Sequence, residues 1–386
     1  MTGAVQAIGW TLLVSVIQTG IIAAVVWLAL RVLSPVRAGL RYVIALGGLV
    51  VAAAAFVTTA GLLLADWRTH VDCWERAGIP GARAPVECRS HGLPAAAVQA
   101  TEEGQGKIAA VLAWAPGAWV PVVPYSRALA RVWTEVAGVA GALWLAAMLL
   151  LVVREVRSRR FLRRVLAESR PVRDRGALAA LAELSAQLGI RIPVGLRESA
   201  EVTTPSVAGS VRPVILLPEG LLGALGPFDL RGVLAHELAH VRRRDAASTA
   251  LQRAAELALF LNPFATWISR RVRAEREAAC DQVGAALGAR SRPVYAEMLL
   301  ILEGFRSAAG ARPALPLLGE SDLFSRVQRL LETPVRRGSG RGAVLLFVFL
   351  AILSGVLLAR ASLAVTALGS WAVMTEDVER REARID

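Results

Sequence analysis

Two histidines four residues apart, with a glutamate after the first, are the residues of this chain best suited to hold a metal ion. They are His236 and His240, with Glu237, in the stretch Leu234-Ala-His-Glu-Leu-Ala-His-Val241. On a helix, positions i and i+4 lie on one face, one above the other. Both imidazoles can then reach one ion. Glu237 projects beside them, placed to take a proton from a water that the ion activates. This is the H-E-x-x-H pattern of zinc-assisted hydrolysis. The alternative is a helix that carries two histidines by chance. The chain has only four histidines, His70, His91, His236 and His240, so a chance match to this spacing is rare.

A catalytic zinc takes three protein ligands and leaves a position open. No further histidine lies in the second half of the chain, so the third ligand has to be a carboxylate. The segment Arg273-Ala-Glu-Arg-Glu-Ala-Ala-Cys-Asp281 offers Glu277 and Asp281, again i and i+4. Glu277 suits the ligand role, and Asp281 suits a hydrogen bond to a ligand imidazole, which fixes its tautomer. Spacing alone leaves Glu275 and Glu256 equally open as the third ligand, and a plain solvated helix face is the bland reading. Cys280 reads as a small buried packing residue, because a fourth protein ligand would bar the catalytic water. Asp245 reads as a helix-end residue.

The elements that must position these groups are set in an apolar chain. Of 386 residues, 55% are hydrophobic and only 19% charged, against about a quarter charged in soluble domains. A membrane protein follows. The net charge is +13, and Lys107 is the only lysine. The arginines cluster at the ends of apolar runs, as membrane topology requires. No basic stripe interleaves with aromatics, so direct nucleic-acid binding is not expected.

Val5–Leu30 carries no charge, and roughly 20 apolar residues span a bilayer core. The residues before it include no Lys or Arg, so a retained helix fits better than a cleaved signal peptide. Arg31, Arg37 and Arg41 then precede a second uncharged run, Tyr42–Ala65. A short basic connection belongs in the cytoplasm. A third run, Val136–Val153, is followed at once by Arg154, Arg157, Arg159, Arg160, Arg163 and Arg164. This places everything after it, His236 included, on the cytoplasmic side. A fourth run begins at Gly342 and is interrupted by Arg360. The expected organisation is two transmembrane helices in 1–66, an extracytoplasmic loop in 67–134, a third helix in 135–153, a cytoplasmic metallopeptidase domain in 154–341, a fourth helix in 342–366 and a short tail in 367–386. Cys73 and Cys88 fall in the outer loop, where an oxidising compartment favours a disulfide. Pro116, Pro121 and Pro124 make Ile108–Tyr125 a poor spanning helix and a better interfacial one.

Within 154–341 the periodicity predicts helices at Ala177–Leu188, Phe228–Arg244, Ala246–Leu261 and Ala265–Leu287, with Asp229 as a plausible N-cap. Ile190–Leu196 and Arg212–Leu217 read as strands. The second strand, just ahead of the metal helix, is either an ordinary buried strand or an edge for an extended peptide. The domain is α+β. The Pro/Gly-rich stretch Ala308–Asp322 is the weakly indicated place for self-cleavage.

Four stretches in order resemble the BlaR/MecR-type membrane metallopeptidases, the antirepressor and sensor-transducer peptidases. They are Thr204-Pro-Ser-Val-Ala-Gly-Ser-Val-Arg-Pro-Val-Ile-Leu-Leu-Pro218, Val233-Leu-Ala-His-Glu-Leu-Ala-His-Val-Arg-Arg-Arg-Asp245, Leu261-Asn-Pro-Phe264 and Arg276-Glu-Ala-Ala-Cys-Asp281. The resemblance implies Glu277 as third ligand and Asp281 as the carboxylate that supports a ligand imidazole. It also implies a cytoplasmic protein substrate, often a transcriptional repressor, and self-cleavage on an outside signal. Those transducers carry a penicillin-binding domain after the fourth span, where this sequence has about a dozen polar residues after Met374. Direct covalent sensing of a β-lactam is therefore not expected, and the Cys73/Cys88 loop is the remaining candidate sensor.

The sequence thus predicts a mainly α-helical, multi-pass membrane protein of about four transmembrane helices, with a cytoplasmic α+β zincin-type domain. It would be a zinc (Zn2+) endopeptidase of a bacterial cytoplasmic membrane, using His236, His240, Glu277 and Glu237. Its partners would be the bilayer, a protein substrate such as a transcriptional repressor, and, as a dimer, a second copy of itself. The rival readings are a membrane quality-control protease and a zinc-holding receptor or scaffold without proteolysis.

Overall fold

Apolar runs without proline make the first elements. In a computed structural model describing residues 2–34, 37–77, 127–308 and 323–332, helix α1 runs Thr2–Val32, α2 Ala38–Ala77 and α3 Arg127–Glu168. Three stretches among the described residues are long and apolar enough to cross a membrane: Thr11–Val32, Ala38–Gly61 and Gly138–Glu168. The helix of α2 continues past Asp66, and α3 continues through the arginine cluster at 154–164, because arginine is a good helix former. The expected fourth span at 342–366 lies outside the described residues, as do the cysteine pairing of Cys73 with Cys88, Ile108–Tyr125 and most of Ala308–Asp322.

The described residues fall into two units. One holds α1 up to Ile22, α2 from Val51 and α3 up to Met148. Inside it the buried Gln18 amide donates to Thr59 Oγ1 at 3.1 Å, and Phe56 meets Trp144 at a centroid distance of 6.0 Å. The other unit holds Ala23–Val50 and the chain from Leu149 onward.

That second unit carries a small sheet. Its strands are β1 (Arg170–Pro171), β2 (Gly195–Ser199), β3 (Ser206–Ala208) and β4 (Val214–Pro218), in the order β1-β2-β4-β3. β2 and β4 are parallel, with Leu196 beside Ile215; β3 is antiparallel to β4, with Val207 beside Ile215. Side chains alternate between faces. Ile215 and Leu217 join the main core with Leu184, Leu234 and Leu238, whereas Leu216 packs against Val165 of α3 and Ala208. β4 is therefore an interior strand and offers no edge to a peptide. The edge on that side is β3. The β2 strand starts at Gly195, beyond Pro193, later than the apolar run suggested.

The helices of this unit are α4 (Arg175–Gln187), α5 (Leu221–Ala224), α6 (Pro227–Arg243), α7 (Asp245–Ala258), α8 (Pro263–Leu287), α9 (Arg292–Ala308) and α10 (Leu323–Glu332). α6 starts one residue earlier than its periodicity indicated. Gly226 is its N-cap and Pro227 its first residue, so Asp229 sits in the first turn. There its carboxylate complements the helix dipole instead of capping. Arg244 ends α6 with φ 57°, a left-handed turn that leads straight into α7. Asn262 caps α8 by accepting from the amides of Phe264 and Ala265, each at 3.1 Å.

α6 and α8 run close enough to leave no room for side chains at their crossing. A Cβ on Gly288 would stand 2.5 Å from the Gly232 Cα and 2.6 Å from the Arg231 carbonyl oxygen. Both neighbours are backbone and cannot rotate away. Gly288→Ala is expected to destabilise the domain by about 1–3 kcal/mol, read as a lower midpoint in denaturant. A midpoint equal to wild type would refute this account of the crossing.

Candidate metal centre

Half of α6 is buried from Gly232 to Ala239, so its two histidines leave the helix into the interior of the domain. His236 and His240 are one turn apart, and their Nε2 atoms approach to 3.3 Å. Glu277 of α8 brings Oε2 to 3.6 Å from His236 Nε2. Donor atoms of His236, His240 and Glu277 all lie within 4.8 Å of one another. Bonds of 2.0–2.1 Å to a tetrahedral ion put neighbouring ligand atoms about 3.3–3.4 Å apart. The 3.3 Å between the two imidazoles matches that spacing, and the 3.6 Å from His236 Nε2 to Glu277 lies slightly beyond it.

Each imidazole is held from behind. His240 Nδ1 is 2.8 Å from Asp245 Oδ2, the first residue of α7, delivered by the left-handed turn at Arg244. His236 Nδ1 is 3.1 Å from Asp281 Oδ1 and 3.0 Å from the Tyr295 hydroxyl. Tyr295 is fully buried, and its hydroxyl donates to Asp281 Oδ1 at 3.0 Å. Arg326 of α10 grips the same carboxylate with Nε at 2.8 Å and Nη2 at 2.6 Å. Gly284 leaves space for the Tyr295 ring: a Cβ there would lie 2.6 Å from the Tyr295 Cε2 and hydroxyl. Both histidines thus point Nε2 at the shared position and give Nδ1 to a carboxylate.

The electrostatics match a cation site. Burial alone would draw the His236 imidazolium down, but hydrogen bonds to Asp281 and Glu277 outweigh it and hold its pKa at about 10. Burial would raise Glu277, yet His236, His240 and Arg326 together bring it to about 2. Asp281 is buried too, and the Arg326 guanidinium holds it far below the usual carboxylate range. A proton on His236 answers the surrounding negative charge as an ion would.

A second group, His240, Asp245 and Cys280, also lies within the same reach. Its geometry is that of hydrogen bonds. The 2.8 Å contact between His240 Nδ1 and Asp245 is too short for two ligands of one tetrahedral ion. Burial pushes the Cys280 thiol up, and the Asp245 and Glu277 carboxylates push it further. The Cys280 Sγ, 3.4 Å from His240 Nδ1 and 3.8 Å from Asp245 Oδ2, is a buried neutral neighbour of the site. The other two glutamates that spacing left open lie elsewhere. Glu256 is bonded to Ser269 and Arg273. Glu275, 1% exposed, is paired with Arg41 and Arg329.

The donor atoms open onto a cleft of about 1510 Å³. Glu237 lines it beside His236 and His240, and β3 with the preceding Thr204 and Pro205 lines another part of it. The family model described as BlaR1 peptidase M56 matches residues 106–330, more than half of the chain, and encloses every residue of this site. The chain belongs to the BlaR1 peptidase M56 family. It is thereby a metallopeptidase by family, and the three candidate membrane helices among the described residues agree with the family's membrane setting. A comparison with curated proteins finds no match.

Within this M56 peptidase, two contributors to the site carry no local signature. Tyr295 and Arg326 reach it from α9 and α10, 59 residues beyond His236 and 45 beyond Asp281. Asp245 had a faint signal, since it follows His240 by five residues across a helix end.

Proposed function

We propose that the chain is a multi-pass membrane zinc endopeptidase whose active site faces the cytoplasm. The observation that carries the proposal is the convergence of donor atoms of His236, His240 and Glu277 to within 4.8 Å of one another, with Glu237 in the same cleft. His236, His240 and Glu277 would hold the zinc, Asp281 and Asp245 would orient the imidazoles, and Glu237 would be the general base. When bound, the ion lowers the pKa of water and polarises the scissile carbonyl. Glu237 accepts the water proton and passes it to the leaving amine. The β3 edge accepts an extended peptide by main-chain hydrogen bonds, which holds the scissile bond across the cleft. Orientation rests on arginine. Arg31, Arg37 and Arg41 lie where the first two candidate spans meet, and Arg154–Arg164 forms the end of the third, after the uncharged run 136–153; such clusters mark the cytoplasmic side. The substrate is then a cytoplasmic protein, with a transcriptional repressor and the chain itself as the classes to test.

The test uses the detergent-purified chain. Wild type is expected to hold one zinc per chain and to yield fragments by intact mass, both abolished by a chelator. His236→Ala should lack the zinc. A folded wild-type protein that takes up no zinc would sink the reading.

Zinc uptake should also release a proton. Below about pH 10 the metal-free His236 is protonated, and ligation requires the bare nitrogen. At pH 8 binding is expected to release about one proton. The apparent affinity should climb about tenfold per pH unit from 7 to 9, and level off above the His236 pKa. Calorimetry in buffers of different ionisation enthalpy reads the proton directly, and a buffer-independent heat would contradict the assignment.

A further inference from the structure

The start of α2 touches both metal-bearing helices, through two consecutive residues. Arg41 forms a two-pronged pair with Glu275 of α8, Nε to Oε2 at 2.9 Å and Nη2 to Oε1 at 2.8 Å. Its third nitrogen, Nη1, donates to the carbonyl oxygens of Leu30 at 2.5 Å and Leu33 at 2.9 Å, at the end of α1. The pair is largely shielded from solvent, with side chains 12% and 1% exposed. Glu275 lies two residues before Glu277 on the same helix. Tyr42, 6% exposed, lies under the Arg243 guanidinium at 4.5 Å. Arg243 Nε is 3.4 Å from Asp245 Oδ2, the oxygen that binds His240 Nδ1. All these residues belong to one compact unit, in which Ala23–Val50 groups with the peptidase domain.

A buried ion pair is a poor way to gain stability, because desolvation offsets most of the attraction. What a guanidinium with all three nitrogens engaged does supply is fixed geometry. Arg41 ties the last carbonyls of α1 to the turn of α8 just before Glu277. Tyr42 backs the cation that shares Asp245 with His240.

We propose that Arg41 and Tyr42 are positioning residues of the metal centre: the start of α2 sets Glu277 through Glu275, and His240 through Arg243 and Asp245. The inference rests on the metal-centre reading above. It makes the first membrane hairpin part of the ligand-holding framework, so that displacing the hairpin loosens the grip on the ion.

The test uses the full chain in detergent, as wild type, Arg41→Ala, Arg41→Lys, Tyr42→Leu and, as a control at an exposed pair, Arg159→Ala. Two readings are taken: zinc release to excess chelator, and the visible absorption of the cobalt(II)-loaded protein, which reports ligand geometry. Arg41→Ala and Tyr42→Leu are each expected to release zinc about tenfold faster and to shift the cobalt bands. Arg41→Lys, which keeps the charge and loses the fork, should fall between wild type and Arg41→Ala. Arg159→Ala should match wild type. Folded variants with wild-type release rates and spectra, even at a lower melting temperature, would overturn the inference and leave these residues a purely structural role. Should Arg41→Ala fail to fold, Tyr42→Leu, which strands no charge, decides by the same readings. A wild type that binds neither metal would overturn the metal-centre reading itself, so the two failures are distinct.

Discussion

Glu237→Gln is expected to lower peptide hydrolysis by about 10²–10⁴-fold while the chain keeps its zinc. The substitution preserves the size of a side chain that is only 6% exposed, so packing on α6 is undisturbed. What is lost is the capacity to accept a proton. The three groups whose donor atoms lie within 4.8 Å of one another, His236, His240 and Glu277, are untouched. Measuring cleavage of a peptide substrate and zinc content on the same preparations separates the possible roles. Unchanged cleavage would move the base to another residue. Loss of zinc would put Glu237 among the ligands. Loss of cleavage with zinc retained would also exclude a receptor that merely holds the ion.

The second large effect is expected at Asp281, which lies behind His236 and does not line the cleft. This 2%-exposed carboxylate accepts from both Arg326 nitrogens and the Tyr295 hydroxyl, and lies 3.1 Å from His236 Nδ1. Asp281→Ala takes from the largely shielded Arg326 guanidinium both short bonds and leaves it only the 3.9 Å contact with Glu277. Breaking one side of such a pair costs about 3–5 kcal/mol. The His236 ring also loses the acceptor that fixes its tautomer, worth about 10–100-fold in metal affinity. Denaturant unfolding and chelator competition measure the two losses. The double variant Asp281→Leu with Arg326→Met separates them, because it removes the unpaired charge. Stability should return and zinc affinity should not. Recovery of both would show that Asp281 serves the fold alone.

How much of this site was legible beforehand depended on the range of each contact. His236, Glu237 and His240 share one helix, and helical periodicity places them together with no knowledge of the rest. Glu277 was one of three open glutamates by spacing, and only the family resemblance singled it out. The reason is physical: Glu275, Glu256 and Glu277 are all helical carboxylates, and only tertiary packing decides which meets an imidazole and which meets Arg41 or Arg273. Asp245 reads as a helix end because it is one. The left-handed turn at Arg244, which makes that end also a support for His240, has no signature in an arginine. The helix α6 was visible in its apolar period, while its cap shifted to Gly226 because Pro227 suits a first helical position. The strand β4 was visible as an apolar run, but its place in the sheet was not. A run buried on both faces looks alike at an edge and in the interior, and only pairing with β2 and β3 put it inside.

The two imidazole supports differ in a way that bears on how the domain assembles. The partner of His240 is five residues away, across a single turn. The partners of His236 lie on α8 and α9, and the arginine that braces them is on α10. Closing a 59-residue loop in place of a five-residue one costs about 2 kcal/mol more in chain entropy, recovered only when the core between the helices has formed. The His240 side can therefore take shape while the chain is still emerging, and the His236 side is completed last. A nascent chain would carry half a binding site, too weak to strip metal from its surroundings, and capture of the ion would coincide with the closing of the domain around it.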